Sequence, residues 1–265
     1  MVKIKYLGTC SGTEPMKDMH HCSLIFEVGD SIYWFDAGEN CAHTAYTSGV
    51  DVLKTRALFI SHAHSDHVCG LPALLALFKK LINRYKTPLA HNNTIEVFMT
   101  EPALFDAAAT LCNGGATPER VPRLHFDANV HELFDGVVYE DENVRVSAIH
   151  NTHLKEDGSA GWHAYSFLIE AEGKRIVFSG DVGKPYELDG LLADGCDLLI
   201  METGHHKVKD VCEYAISRGV GVLRFNHHGR EILEDRDAAE SLIAQYSAES
   251  GTPIKLCFDG MTDEM

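Results

Sequence analysis

No stretch of the 265-residue chain comes near the roughly 20 consecutive apolar residues of a membrane span. The opening residues, Met1 to Gly8, read as a strand and lack the character of a secretory signal. The eight cysteines are scattered with no C-x-x-C pair, so they read as free thiols of a reducing cytosol and not as a disulfide framework. Basic residues are scarce: 23 Lys and Arg stand against 39 Asp and Glu, a formal net charge of −16. That deficit argues against broad electrostatic binding to extended nucleic acid or an anionic membrane surface. It leaves room for a local basic patch or a metal-assisted site for an anionic substrate. Linkers, charge blocks, low-complexity stretches and short-period repeats are also missing, so residues 1–265 are read as one domain.

What is present is the composition of a soluble globular protein, 45% apolar and 23% charged. A chain of this length buries about 70–75% of the surface it exposes when unfolded, so its core needs no covalent staples. Strands are expected at Val2–Leu7, Ala57–Ser61, Ile95–Met99, Val137–Tyr139, Val144–Ile149, Leu198–Met201, Val220–Phe225 and Ile254–Phe258. Hairpins are expected around Gly29-Asp30 and Glu172-Gly173. Apolar residues recur at helical spacing in Leu71–Tyr85, Glu101–Cys112, Val208–Arg218 and Asp235–Glu249. Strands in two groups, each with its own helices, predict an α/β architecture: a four-layer αββα sandwich of two mixed β-sheets with helices on the outer faces.

The sixteen histidines are the outlier, and they cluster where strands end. His62-Ala63-His64-Ser65-Asp66-His67 puts four metal-ligand side chains into six residues after an apolar strand. On extended chain, positions i and i+2 face the same side, so His62 and His64 can grip one cation. Asp66 and His67 lie on the next turn of chain and can face a second. One hexad cannot fill two metal sites. Three later strand ends offer further ligands: His150-Asn151-Thr152-His153, Asp181 after Ser179-Gly180, and His227-His228.

The order HxHxDH, His, Asp, His resembles the metallo-β-lactamase superfamily of metal-dependent hydrolases over nearly the whole chain. Leu7–Pro15, Trp34–Glu39 and His67–Pro72 are similar to the glycine loop, the Asp-x-Gly-Glu segment and the DHxxGLP segment of its ribonuclease Z-like branch. The resemblance implies a single metallo-β-lactamase-like hydrolase domain. It also implies two divalent ions, Zn²⁺ by preference with Mn²⁺ as the alternative. His62, His64 and His153 would hold one ion, Asp66, His67 and His227 the other, and Asp181 both. His150 stays open as the alternative to His153, and His228 as the alternative to His227. Asp66, Glu202 and His205 are the candidates for catalytic roles, His205 as proton donor to the leaving group. Trp162 and His163 are candidates for the pocket wall.

The implied activity is that of a phosphodiesterase acting on a small-molecule phosphodiester or nucleotide substrate. A thioester, lactone or β-lactam hydrolase is the alternative on the same fold, with a non-catalytic metal-binding module behind it. The chain shows no Gly/Pro-rich arm for holding transfer RNA. His228-Gly229-Arg230-Glu231 also replaces the Ser and Arg-Tyr that usually follow the last ligand of ribonuclease Z. Transfer-RNA 3′ processing is therefore ranked lower. A cytoplasmic location, no membrane partner and a homodimer complete the expectations.

Overall fold

The computed structural model describes residues 1–114, 123–155 and 161–265. The first half of the chain contributes strands β1 (Val2–Gly8), β2 (Ser23–Val28), β3 (Ser31–Phe35), β4 (Thr55–Phe59), β5 (Thr94–Met99) and β6 (Asp127–Glu132). The second contributes β7 (Gly136–Glu140), β8 (Val144–His150), β9 (Tyr165–Ala171), β10 (Lys174–Phe178), β11 (Leu198–Glu202), β12 (Leu223–Asn226) and β13 (Ile254–Leu256). The last strand, β14 (Thr262–Glu264), returns to the first half. Among the described residues these form two seven-stranded sheets, ordered β14-β1-β2-β3-β4-β5-β6 and β13-β12-β11-β10-β9-β8-β7.

Both sheets are mixed. The β2–β3 and β9–β10 hairpins are antiparallel, whereas β3–β4–β5–β6 and β10–β11–β12–β13 pair in parallel. Parallel neighbours need crossover connections, and these carry the helices to the outer faces. Helix Leu71–Tyr85 buries Leu71, Leu74, Leu75, Phe78 and Leu81 on the first sheet, and helix Val208–Ser217 buries Val208, Val211, Cys212 and Ala215 on the second. The result is the four-layer αββα sandwich. No described helix is long and apolar enough to cross a membrane.

The seam between the sheets is aromatic where it meets the site. Phe35, Phe59 and Phe178 are the last residues of β3, β4 and β10, and all three are buried. Phe35 stacks on Phe59 at 4.9 Å and meets Phe167 and Phe178 edge-on at 5.6 and 5.9 Å. Close-packed rings in low-energy geometries make a stiff floor. The chain leaves that floor directly into Asp36, Ser61-His62 and Ser179-Gly180-Asp181. Ligand sites of α/β sheets gather at the carboxyl ends of parallel strands for this reason.

Candidate metal centre

The hexad is placed by a residue outside it. Asp36, fully buried just past β3, accepts hydrogen bonds from Ser61 N–H at 2.7 Å and Ser61 Oγ at 2.9 Å. Ser61 Oγ in turn lies 3.0 Å from His62 Nδ1, which leaves His62 Nε2 facing inward. His62 Nε2 lies 3.0 Å from His64 Nδ1, and His153 Nε2 lies 3.3 Å from the same atom. Asp181 Oδ2 closes the group, 3.7 Å from His62 Nε2 and 3.5 Å from His153 Nε2. Tetrahedral zinc with bonds of about 2.0–2.1 Å sets its ligand atoms roughly 3.3–3.4 Å apart, so these spacings suit a cation.

A second group forms where the chain turns into the short helix Ser65–Val68. His67 Nδ1 lies 2.7 Å from Asp36 Oδ2 and donates to it, so Nε2 is the free ligand atom. That Nε2 lies 3.2 Å from His227 Nε2, 3.4 Å from Asp66 Oδ2 and 3.4 Å from Asp181 Oδ1. His227 lies 3.0 Å from Asp66 Oδ2 through Nε2 and 3.2 Å from Asp181 Oδ1 through Nδ1. Two glycines make the room. A Cβ on Gly12 would sit 2.8 Å from the Asp66 carboxylate, and one on Gly204 would sit 2.7 Å from His227 Nδ1.

Asp181 is common to both groups, one oxygen to each. Its Oδ1 and His227 Nδ1 are buried without a hydrogen-bond partner. A buried polar atom left unpaired carries a desolvation cost that a ligated cation would remove. Without a cation, positive charge must come from protons. Burial opposes charge on His67, but Asp181 and Asp36 outweigh it and raise its pKa well above the usual histidine range. Burial likewise opposes charge on His227, yet Asp181 and Asp66 lift its pKa to about 9. Burial brings His153 down to about 4. Imidazoles and carboxylates with no thiolate among them, tautomers preset by Asp36 and Ser61, and an orphaned shared oxygen together fit divalent cations.

The neighbouring histidines are sorted by the same geometry. His150 ends β8 and turns away, 2.6 Å from Asp135 Oδ2 and stacked on Trp162 at 3.7 Å. Asn151 then tucks under the site, donating to the Asp181 carbonyl at 3.0 Å, and its Oδ1 accepts from His153 N–H at 2.9 Å. The chain has left the strand by then, so strand alternation does not govern His153. His227 has a left-handed backbone, φ 49°, that swings its ring inward. His228 points the other way and donates through Nε2 to the Cys257 carbonyl at 2.9 Å. His163 bonds Glu101 at 3.0 Å. Neither it nor Trp162 is among the residues that line the cavity over the site.

That cavity, about 700 Å³, is lined by the Ser11–Thr13 loop, His64, Asp66, Asp181, His205, His227 and the Gly229–Glu231 turn. Buried Glu202 ends β11; its carboxylate accepts from His205 N–H at 2.9 Å and pairs with His205 Nδ1 at 3.1 Å. Burial pushes the Glu202 carboxyl up, but hydrogen bonds with His205 and His227 outweigh it and hold it at about 2. The hydrogen bond to Glu202 raises the pKa of His205. His205 remains 44% exposed, so its ring reaches the cavity while its Nδ1 is anchored. Asp36 and the two glycines shape the candidate site, and ligand spacing alone does not reveal them. The signal for Asp36 was its place in the Asp-x-Gly-Glu segment.

The model of the family described as anti-Pycsar protein Apyc1 matches residues 2–210. The chain belongs to the Apyc1 family. Among curated relatives, ribonuclease Z of Mycobacterium marinum is 25% identical, the match covering 97% of this chain and 96% of that protein. Ribonuclease Z of Methanothermobacter thermautotrophicus is 24% identical over 86% of each. Among solved structures, the metallo-β-lactamase fold protein YhfI from Bacillus subtilis superposes with TM-score 0.73 at 15% identity, covering 100% of this chain and 99% of its own. The short form of human tRNase Z gives 0.71 at 18%, covering 99% and 98%. The fold expected from the motifs is therefore the one found. This member of the Apyc1 family stands among the metal-dependent hydrolases of the metallo-β-lactamase superfamily, on the ribonuclease Z-like side.

Proposed function

We propose that the chain is a dinuclear metal-dependent phosphodiesterase acting on a small phosphodiester or nucleotide, and that residues 1–265 work as one hydrolase domain. The observation that carries this reading is Asp181, whose two oxygens face two separate donor groups across one buried wall. His62, His64 and His153 would hold one cation with Asp181, and Asp66, His67 and His227 the other. Zn²⁺ suits this donor set best, with Mn²⁺ as the alternative. Such cations, when bound, lower the pKa of water toward neutrality and offset charge on phosphoryl oxygens.

The chain's own residues supply the rest. His205, fixed through Nδ1 by Glu202, presents its other ring nitrogen to the cavity and would protonate the departing alkoxide. Glu202 keeps that ring oriented, as a carboxylate behind a working histidine does. The names of structural neighbours support phosphorus as the target. Yeast PDE1 has TM-score 0.65 at 12% identity over 98% of both chains. A diphosphatase of the PhnP family has 0.64 at 12% over 100% and 98%. The net charge of −16 favours a small diester over an extended nucleic acid.

Elemental analysis of the purified protein, paired with a substrate panel, tests the reading. The panel spans an aryl phosphodiester, cyclic mononucleotides, a precursor transfer RNA, a thioester and a lactone, each with Zn²⁺ and with Mn²⁺. About two equivalents of metal and turnover of the small diesters are expected. Cleavage of the transfer RNA alone would move the function to RNA processing. Turnover of only the thioester or lactone, or a protein that takes up no divalent ion, would overturn the proposal.

A further inference from the structure

The mechanism above uses the metal ligands, Glu202 and His205, and leaves the cationic rim of the cavity unexplained. Among the described lining residues two side chains are permanently positive, Lys207 and Arg230, in a chain of net charge −16. Lys207 Nζ stands 3.9 Å from Glu231, whose carboxylate also accepts the Val208 N–H at 3.2 Å. Arg230 Nη2 donates to Glu14 Oε2 at 2.8 Å, and its Nη1 lies 3.7 Å from Glu234. Glu14 directly follows the Ser11–Thr13 stretch of the cavity wall, so this ion pair ties the end of that wall to the Gly229–Glu231 turn.

The two walls are registered by backbone, which makes the pair more than a chance meeting of long side chains. His228 N–H donates to the Thr9 carbonyl at 2.7 Å, and Ser11 N–H donates to the His228 carbonyl at 3.2 Å. Gly229 is pressed so close to Thr203 that a Cβ there would come within 2.5 Å of its carbonyl oxygen. Arg230 therefore projects from a fixed turn two residues beyond that backbone bridge. A guanidinium has five donors in a planar fork that matches phosphate oxygens, and Glu14 engages it through a single nitrogen. Both partners are more than half exposed, and an exposed pair contributes little net stability, so a phosphate oxygen can displace the carboxylate.

Building on the phosphodiesterase reading, we infer that Arg230 is the residue that recognises the substrate's anionic phosphate, and that Glu14 is a resident counter-ion which the phosphate displaces on entry. The site follows from the same His228-Gly229-Arg230-Glu231 segment that departs from the usual ribonuclease Z sequence.

Steady-state kinetics of the metal-loaded protein on an aryl phosphodiester test this. Arg230→Ala should raise KM about tenfold while kcat stays within about twofold, the loss of a charge-assisted hydrogen bond made equally in ground and transition states. Arg230→Lys should restore part of the affinity. Glu14→Gln should lower KM about threefold, and that gain should vanish when combined with Arg230→Ala. An unchanged KM in Arg230→Ala, or additive effects in the double variant, would overturn the assignment. If no diester is turned over, the functional reading fails separately. Calorimetric titration of the metal-loaded protein with inorganic phosphate then decides the matter: weaker binding by Arg230→Ala upholds the role, and equal binding removes it.

Discussion

Asp36 Oδ2 lies 2.7 Å from His67 Nδ1, and neither side chain is exposed to solvent. The same carboxylate holds Ser61 through its N–H and its hydroxyl, and Ser61 in turn faces His62 Nδ1. One buried aspartate thus fixes the ring orientation of one candidate ligand in each donor group. Asp36→Asn tests this with little backbone penalty, because φ at this position is 58° and asparagine tolerates the left-handed region. An amide cannot accept from all three donors and would present N–H to a nitrogen that must itself donate. Zinc affinity, measured by competition with a chromogenic chelator, should fall about 10–100-fold while the fold survives. Unchanged affinity would mean His67 is oriented by its metal alone.

His227 and His228 are adjacent in sequence, and their rings face opposite ways. His227→Ala should strip metal from the group containing Asp66 and His67, with little loss of fold, since the ring stands among unpaired polar atoms. His228→Ala should do the reverse. It empties a fully buried site and leaves the Cys257 carbonyl without its 2.9 Å donor, a cost of about 1–3 kcal/mol. Metal content by elemental analysis and melting temperature by scanning calorimetry separate the two. If His228→Ala loses the metal and His227→Ala keeps it, the ligand has been assigned to the wrong neighbour.

His205 gives a kinetic prediction. A residue that protonates the leaving oxygen matters in proportion to how poor the leaving group is. His205→Ala should reduce kcat on an alkyl phosphodiester about 10²-fold or more, and reduce it far less on a p-nitrophenyl diester, whose leaving group needs no proton. Glu202→Gln should act in the same direction but more weakly, because the histidine remains and only its anchor is lost. Equal losses on both leaving groups would make His205 a binding residue.

The sequence is most legible where local chemistry and burial agree. The first hairpin, Ser23–Val28 and Ser31–Phe35, turns at Gly29-Asp30 as expected, because Gly29 takes a φ of 58° and most residues of both strands are buried. Helix Leu71–Tyr85 also has the expected ends, since its apolar face is strongly one-sided and Pro72 suits its first turn. The hexad is legible because ligands close in sequence are close in space. Strand β6 escapes notice because Asp127–Glu132 is an edge strand whose inward face is only Ala128 and Val130, both half-buried, among four polar residues. Strand β14 escapes because it is three residues long and wholly polar. The expected strand Val220–Phe225 begins only at Leu223, because Val220 still donates to the Ala215 carbonyl of the preceding helix. Choices between adjacent or near-adjacent histidines depend on where the chain leaves a strand, which is a tertiary outcome. Asp36 contacts the site through His67 and Ser61, so ligand spacing does not announce it and only its Asp-x-Gly-Glu segment does.

Far from the cavity, Asp141 ties the two sheets together. Its carboxylate accepts from Tyr33 Oη on β3 and Tyr139 Oη on β7, each at 2.7 Å, and from the Asn143 and Val144 N–H groups at 2.8 and 2.9 Å. Burial alone would raise its pKa, but the two tyrosine hydroxyls and the backbone donors outweigh burial and hold the carboxyl below its ordinary value. The folded chain therefore binds this proton more weakly than the unfolded chain does. The stabilisation is complete above the unfolded carboxyl's pKa of about 3.9 and is lost as pH falls through the lower folded value. Asp141→Asn should cost about 2 kcal/mol near neutral pH, the range for hydrogen bonds to a charged group. The gap between the wild-type and variant chains should stay constant down to about pH 5 and narrow in stronger acid. Urea unfolding at a series of pH values measures both numbers. A gap that persists undiminished well below pH 3 or so would show that packing around Asp141, and not its charge, holds the sheets at this edge.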